Sequence, residues 1–100
     1  MNNLGLTQEA LRQIVAVLEK YPEIKKAVVF GSRAKGSFKK YSDIDIAVFG
    51  GADKLNTGDI AYDLDELPLI YKFDVLHYEA TANAEIKAHI DRVGVEIYIK

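Results

Sequence analysis

The 100-residue chain predicts an α/β fold, a β-sheet with helices packed on one face. Apolar residues recur at helical spacing in three segments, short β-branched and aromatic runs stand between them, and Gly or Pro closes most of these segments. Helices that alternate with strands along one short chain imply a single sheet with helices laid on it.

Leu11, Ile14, Val15 and Leu18 form the apolar stripe of a first helix, with Thr7 placed to cap its start and Tyr21-Pro22 to close it. Residues 24–30, IKKAVVF, read as a first strand that stops at Gly31, and IDIAVF from Ile44 to Phe49 as a second that stops at Gly50-Gly51. Ile60, Leu64 and Leu67 mark a second helix ended by Pro68, and YKFDVLHY from Tyr71 to Tyr78 reads as a third strand. A last helix is expected to be capped by Thr81, to bury Ile86, Ile90 and Val93, and to end on Gly94 in the left-handed conformation. VEIYIK alternates as a short final strand.

Composition bounds what such a fold can do. With 49% hydrophobic residues and no Pro-, Gly- or Ser-rich linker, residues 1–100 are expected to form one domain. A chain of this length buries only about 60 to 70% of its unfolded surface, enough for one modest core but not for a deep, separately walled substrate cavity. Thirteen Lys and Arg against fifteen Asp and Glu leave a formal charge of −2, so direct binding of long nucleic acid is not expected. Cysteine is absent, which excludes disulfides and thiolate metal sites. The opening MNNLGLTQEA lacks the apolar core of a signal peptide, and no apolar run approaches the roughly 20 residues of a membrane span. A cytoplasmic protein without membrane partners is the expectation.

The stretch from Val28 to Val48, VVFGSRAKGSFKKYSDIDIAV, carries the chemistry. Asp43 and Asp45 are separated by one residue, so on a strand they share a face opposite Ile44, Ile46 and Val48. With the isoleucines turned to the helices, the carboxylates stand on the open face, where their repulsion calls for a cation or a hydrogen-bond network to offset it. Paired hard oxygen ligands suit Mg²⁺. Asp74 interrupts the apolar run of the third strand and is the third candidate ligand. Three carboxylates on neighbouring strands suit two Mg²⁺ ions roughly 4 Å apart, the arrangement that serves phosphoryl chemistry. Gly31-Ser32 ends the first strand and opens a helical turn, Arg33 to Gly36, whose N–H groups and serine hydroxyl suit phosphate.

Each assignment has a plainer counterpart. Asp43 and Asp45 also fit a solubilising pair at a strand edge, Asp74 an exposed edge residue, and Ser32 a simple turn cap. Arg33 and Lys35 fit phosphate contacts or a solvated face equally, whereas Lys39 and Lys40 are read as loop solubility. His77 and His89 lack neighbouring ligand patterns and are read as ordinary histidines.

The stretch GSRAKGSFKKYSDIDIAV resembles the Gly-Ser turn and Asp-x-Asp motif of the DNA polymerase β-like nucleotidyltransferases, matched here at Gly31, Ser32, Arg33, Gly36, Ser42, Asp43, Asp45 and, on a later strand, Asp74. The resemblance covers nearly the whole chain and is strongest with the minimal nucleotidyltransferases, similar to the catalytic half of kanamycin nucleotidyltransferase. Lys35 stands where many members have Arg, which keeps the charge but loses the planar fork. The resemblance implies a mixed sheet, two Mg²⁺ ions at Asp43, Asp45 and Asp74, ATP as donor held at Gly31, Ser32, Arg33 and Lys35, and transfer of AMP to an acceptor hydroxyl. It further implies a hetero- or homo-oligomer, with a HEPN-domain toxin as leading partner, adenylylated on a tyrosine and so neutralised. Nucleotidylation of a small molecule such as an aminoglycoside, or a non-catalytic module that masks a partner, are the alternatives. Minimal members without the third carboxylate are the non-catalytic ones, and Asp74 is retained here.

Overall fold

The computed structural model describes residues 4–51 and 55–100. Among these residues, helices α1 (Gln8–Leu18), α2 (Gly31–Lys35), α3 (Thr57–Asp65) and α4 (Ala84–Val93) alternate with strands β1 (Lys26–Phe30), β2 (Ile44–Phe49), β3 (Phe73–His77) and β4 (Val95–Ile99). A short 3-10 turn, Tyr78–Ala80, follows β3. The strands form one sheet in the order β3-β2-β1-β4. β1 runs antiparallel to both β2 and β4, and β2 runs parallel to β3 through the α3 crossover, so the sheet is mixed as expected.

Local chemistry explains most boundaries. Thr7 caps α1 by accepting from the Ala10 N–H, and Asn56 caps α3 by accepting from Asp59. Two expected caps differ. Asn83, not Thr81, caps α4, its carboxamide oxygen accepting from Glu85 and Ile86, while the Thr81 hydroxyl donates to the His77 carbonyl. Gly94 is not left-handed, with φ −58 and ψ 136; the chain passes straight into β4 rather than reversing through a C-terminal loop.

The sheet is apolar on both faces, and this corrects the expectation of helices on one face. Ile44, Ile46 and Val48 of β2 meet Ile14, Val17 and Leu18 of α1 and Ile60 and Leu64 of α3 in the main core. On the opposite face Val28, Phe30 and Ala47 pack with Ile90 of α4 in a second, smaller core. Strand β1 reads AVVF at its end, apolar at consecutive positions, which is the pattern of a strand covered on both sides. α4 therefore sits on the carboxylate face and borders the site. No helix among the described residues is long and apolar enough to cross a membrane.

Candidate active site

Sheet register builds the site. Asp45 pairs with Phe30 on one side and with Asp74 on the other, so the end of β1 and both carboxylates form one row across three strands. Paired positions on adjacent strands face the same way and lie about 4.8 Å apart, which brings the Asp45 and Asp74 carboxylates together. Asp43 precedes β2 by one residue and is exposed. The charges act on one another: partial burial first, then the Asp74 and Asp43 carboxylates, push Asp45 up to about 6. A carboxyl this far above its ordinary range, flanked by two like charges, marks a position where a cation is favoured. Among the described residues no three His, Asp or Glu side chains converge as a ready-made metal cage; the arrangement is a facing pair with a third carboxylate nearby.

Gly31 holds the turn against this pair. Its φ is +74, and a Cβ built on it would collide with the Asp45 carboxylate oxygen, so glycine is required both for backbone conformation and for space. Its N–H does not point into the turn: it donates to His89 Nε2 on α4 at 3.2 Å, and that imidazole lies edge-on to the Phe30 ring. His89, read from sequence as an ordinary histidine, therefore borders the site; only the tertiary placement of α4 brings it there. The α2 turn opens at Phe30 without a side-chain cap, so Ser32 is not the capping residue. Among the described residues the half-exposed Ser32 hydroxyl has no hydrogen-bond partner. Lys35 is exposed at the end of α2, and Gly36 closes that turn in the left-handed conformation, φ 81.

Arg33 departs from expectation. It points inward, 1% exposed, and its guanidinium donates to the carbonyls of Leu4, Lys40 and Ser42. With its donors directed at backbone and its faces against Phe38 and Tyr71, it has no surface left for phosphate. Its residue type fitted an anion site, but the direction of its side chain is set by loop packing that sequence periodicity does not encode. The structure thus brings Gly31, Asp45 and Asp74 together with Asp43 nearby, leaves Ser32 next to Gly31 in the turn and Lys35 exposed at the end of α2, and withdraws Arg33.

Comparison with known proteins identifies the family. The family model described as "Polymerase beta, Nucleotidyltransferase" matches residues 12–100. A protein of Methanocaldococcus jannaschii, named "Putative protein adenylyltransferase MJ0435", is 40% identical over 74 residues that cover 72% of this chain and 77% of that protein. Among solved structures, a toxin-antitoxin with AMP-PNP superposes with a TM-score of 0.75 at 24% identity, covering 90% of this chain and 73% of that one. A tri-AMPylated Shewanella oneidensis HEPN toxin in complex with MNT antitoxin superposes with a TM-score of 0.72 at 22% identity, covering 95% and 74%. These two share the fold. The family match runs from within α1 through β4 and includes every residue of the carboxylate row, so the chain belongs to the polymerase β nucleotidyltransferase family and is an enzyme of the nucleotidyltransferase class.

Proposed function

We propose that this chain transfers AMP from Mg-ATP to a tyrosine of a partner HEPN-domain ribonuclease toxin, and that it is the antitoxin of that pair. The observation that carries the chemistry is the Asp45–Asp74 pair facing across parallel strands beside a glycine turn with no room for a side chain. The residues fit magnesium. Mg²⁺ keeps several waters and binds nucleotide enzymes through one or two carboxylates plus substrate phosphates rather than a complete protein cage. Asp45 and Asp74, with Asp43 beside them, would hold two such ions, which when bound supply charge neutralisation at the triphosphate and at the attacking oxygen.

The chain's own residues then have separate tasks. Gly31 leaves space at the turn, and the unpartnered Ser32 hydroxyl donates to the β,γ-phosphates, with Lys35 adding positive charge from the rim. Asp74, the more exposed of the facing pair, accepts the acceptor's hydroxyl proton. The acceptor oxygen bonds to the α-phosphorus, the bond from that phosphorus to the bridging oxygen breaks, and pyrophosphate leaves with the electron pair. Positioning and charge stabilisation supply the rate enhancement.

The acceptor is assigned from relatives and from the openness of the site. The Methanocaldococcus protein is named for protein adenylylation, and the Shewanella antitoxin is bound to a HEPN toxin that carries AMP. The carboxylate row lies partly exposed at the sheet surface, so the described fold supplies the donor half of a reaction and the partner chain supplies the acceptor half. This reading includes a cytoplasmic location for the pair. Intact-mass spectrometry of a HEPN protein encoded beside this chain, co-expressed and given Mg-ATP, should show AMP mass additions on tyrosine and loss of ribonuclease activity. Neutralisation without a mass change would assign a masking role instead. Nucleotidylation of an aminoglycoside with no effect on the toxin would assign a small-molecule acceptor.

A further inference from the structure

Among the described residues Arg33 is the largest of the fully buried side chains. Among the described residues no carboxylate pairs with it, and its fork is directed entirely at backbone. Nη1 donates to the Leu4 carbonyl at 2.9 Å, and Nη2 and Nε donate to the Ser42 carbonyl at 2.9 and 3.2 Å. Nη2 also reaches the Lys40 carbonyl at 3.4 Å. The guanidinium carbon lies 4.9 Å from the Phe38 ring centre and 4.6 Å from that of Tyr71. Three acceptors and two aromatic rings hold one planar cation in one orientation.

The acceptors matter because of where they lie. The Ser42 carbonyl belongs to the peptide that joins Ser42 to Asp43, so the bidentate contact fixes the backbone entering the carboxylate motif. Around it Lys39, Lys40 and Tyr41 are exposed, and among the described residues the turn is otherwise closed by Ser42, whose N–H donates to the Lys39 carbonyl and whose hydroxyl accepts from the Lys39 N–H. The segment from Leu4 folds over the same cluster. Gly5 has φ +73, and a Cβ there would strike the Phe38 ring. We infer that Arg33 is a positioning residue for nucleotide transfer: it clamps the Lys40–Ser42 turn to the Leu4 segment and so sets Asp43 against the Asp45–Asp74 pair. This rests on the carboxylate reading above.

The test uses the full chain with Arg33→Lys, which keeps the charge but loses the fork, and Arg33→Met, which loses both. Amide hydrogen exchange in residues 39–43 of Arg33→Lys should accelerate at least about tenfold with α1 and β1 unchanged. Calorimetric affinity for Mn²⁺ and kcat should each fall by about 10- to 100-fold, the scale seen when the support of a metal ligand is removed. The KM for ATP should stay within about threefold, and Arg33→Lys should retain more activity than Arg33→Met. Should neither variant fold, Phe38→Leu removes one ring face and should move the same readouts in the same direction. A raised KM with unchanged kcat would make Arg33 a phosphate ligand. Exchange that rises equally throughout the fold would reduce it to a stability residue, and unchanged exchange and Mn²⁺ affinity would also overturn the inference. Failure of the carboxylate reading looks different: wild type and Asp45→Asn would then bind Mn²⁺ equally weakly.

Discussion

Replacing Asp45 by Asn should stabilise the metal-free protein while removing its activity, and the size of the gain follows from the carboxylate row. Folding raises the Asp45 pKa from 3.8 to about 6 through burial and the neighbouring Asp74 and Asp43 carboxylates. A group whose folded pKa is raised holds its proton more tightly in the native state. Its favourable contribution is complete below pH 3.8 and is lost as pH rises through about 6, so ionised Asp45 weakens the apo fold at neutral pH. Each pKa unit corresponds to 1.36 kcal/mol, giving about 3 kcal/mol at most. Because the side chain is only half-buried, solvent screening reduces this to about 1 kcal/mol. In a domain of this size about 1 kcal/mol moves Tm by roughly 4 to 8 °C. Calorimetry in EDTA should therefore show Asp45→Asn melting several degrees above wild type at pH 7.5, with the difference shrinking to nothing near pH 4. An Asn variant that melts below wild type at pH 7.5, or a difference independent of pH, would refute the electrostatic reasoning.

Mg²⁺ should raise the Tm of wild type at pH 7.5 but not that of Asp45→Asn, and its apparent affinity should weaken as pH falls below about 6, where protons compete for the same carboxylate. Ser32→Ala should cost transition-state binding by roughly 1 to 3 kcal/mol in kcat/KM with little change in Tm, because the hydroxyl has no structural partner; a sharp fall in Tm with unchanged kinetics would contradict this. Gly31→Ala should lose activity and at least about 1 to 2 kcal/mol of stability, since a left-handed backbone and a collision with Asp45 act together; wild-type denaturant midpoint and activity would contradict it. His89→Leu should speed exchange of the Gly31 amide, whereas His89→Gln, which keeps an acceptor, should protect it.

Much of this architecture was legible because local signals agree with the global fold. The alternation of Ile44, Ile46 and Val48 against Asp43 and Asp45 assigned the faces of β2, and Asp74, polar within an apolar run, marked the facing position on β3. Covering of both sheet faces was present in the consecutive apolar residues Ala27 to Phe30, a signal that the aspartates on β2 obscured. The α4 cap was ambiguous because Thr81 and Asn83 are both competent caps, and only the path of the chain after β3 selects Asn83. Arg33 and His89 lay beyond sequence reasoning for one shared reason. Their roles depend on partners distant along the chain, Leu4 and Gly31, and no periodicity records such contacts.

The most direct test of the central claim is transfer of label from ATP marked at the α-phosphate to the co-purified HEPN partner, with pyrophosphate release followed in the same reaction. Wild type should transfer label in Mg²⁺ and not in EDTA. Asp45→Asn and Asp74→Asn, both folded by circular dichroism, should each lose transfer and pyrophosphate release together. Undiminished labelling by both variants would contradict the assignment of nucleotide transfer to the Asp45–Asp74 pair.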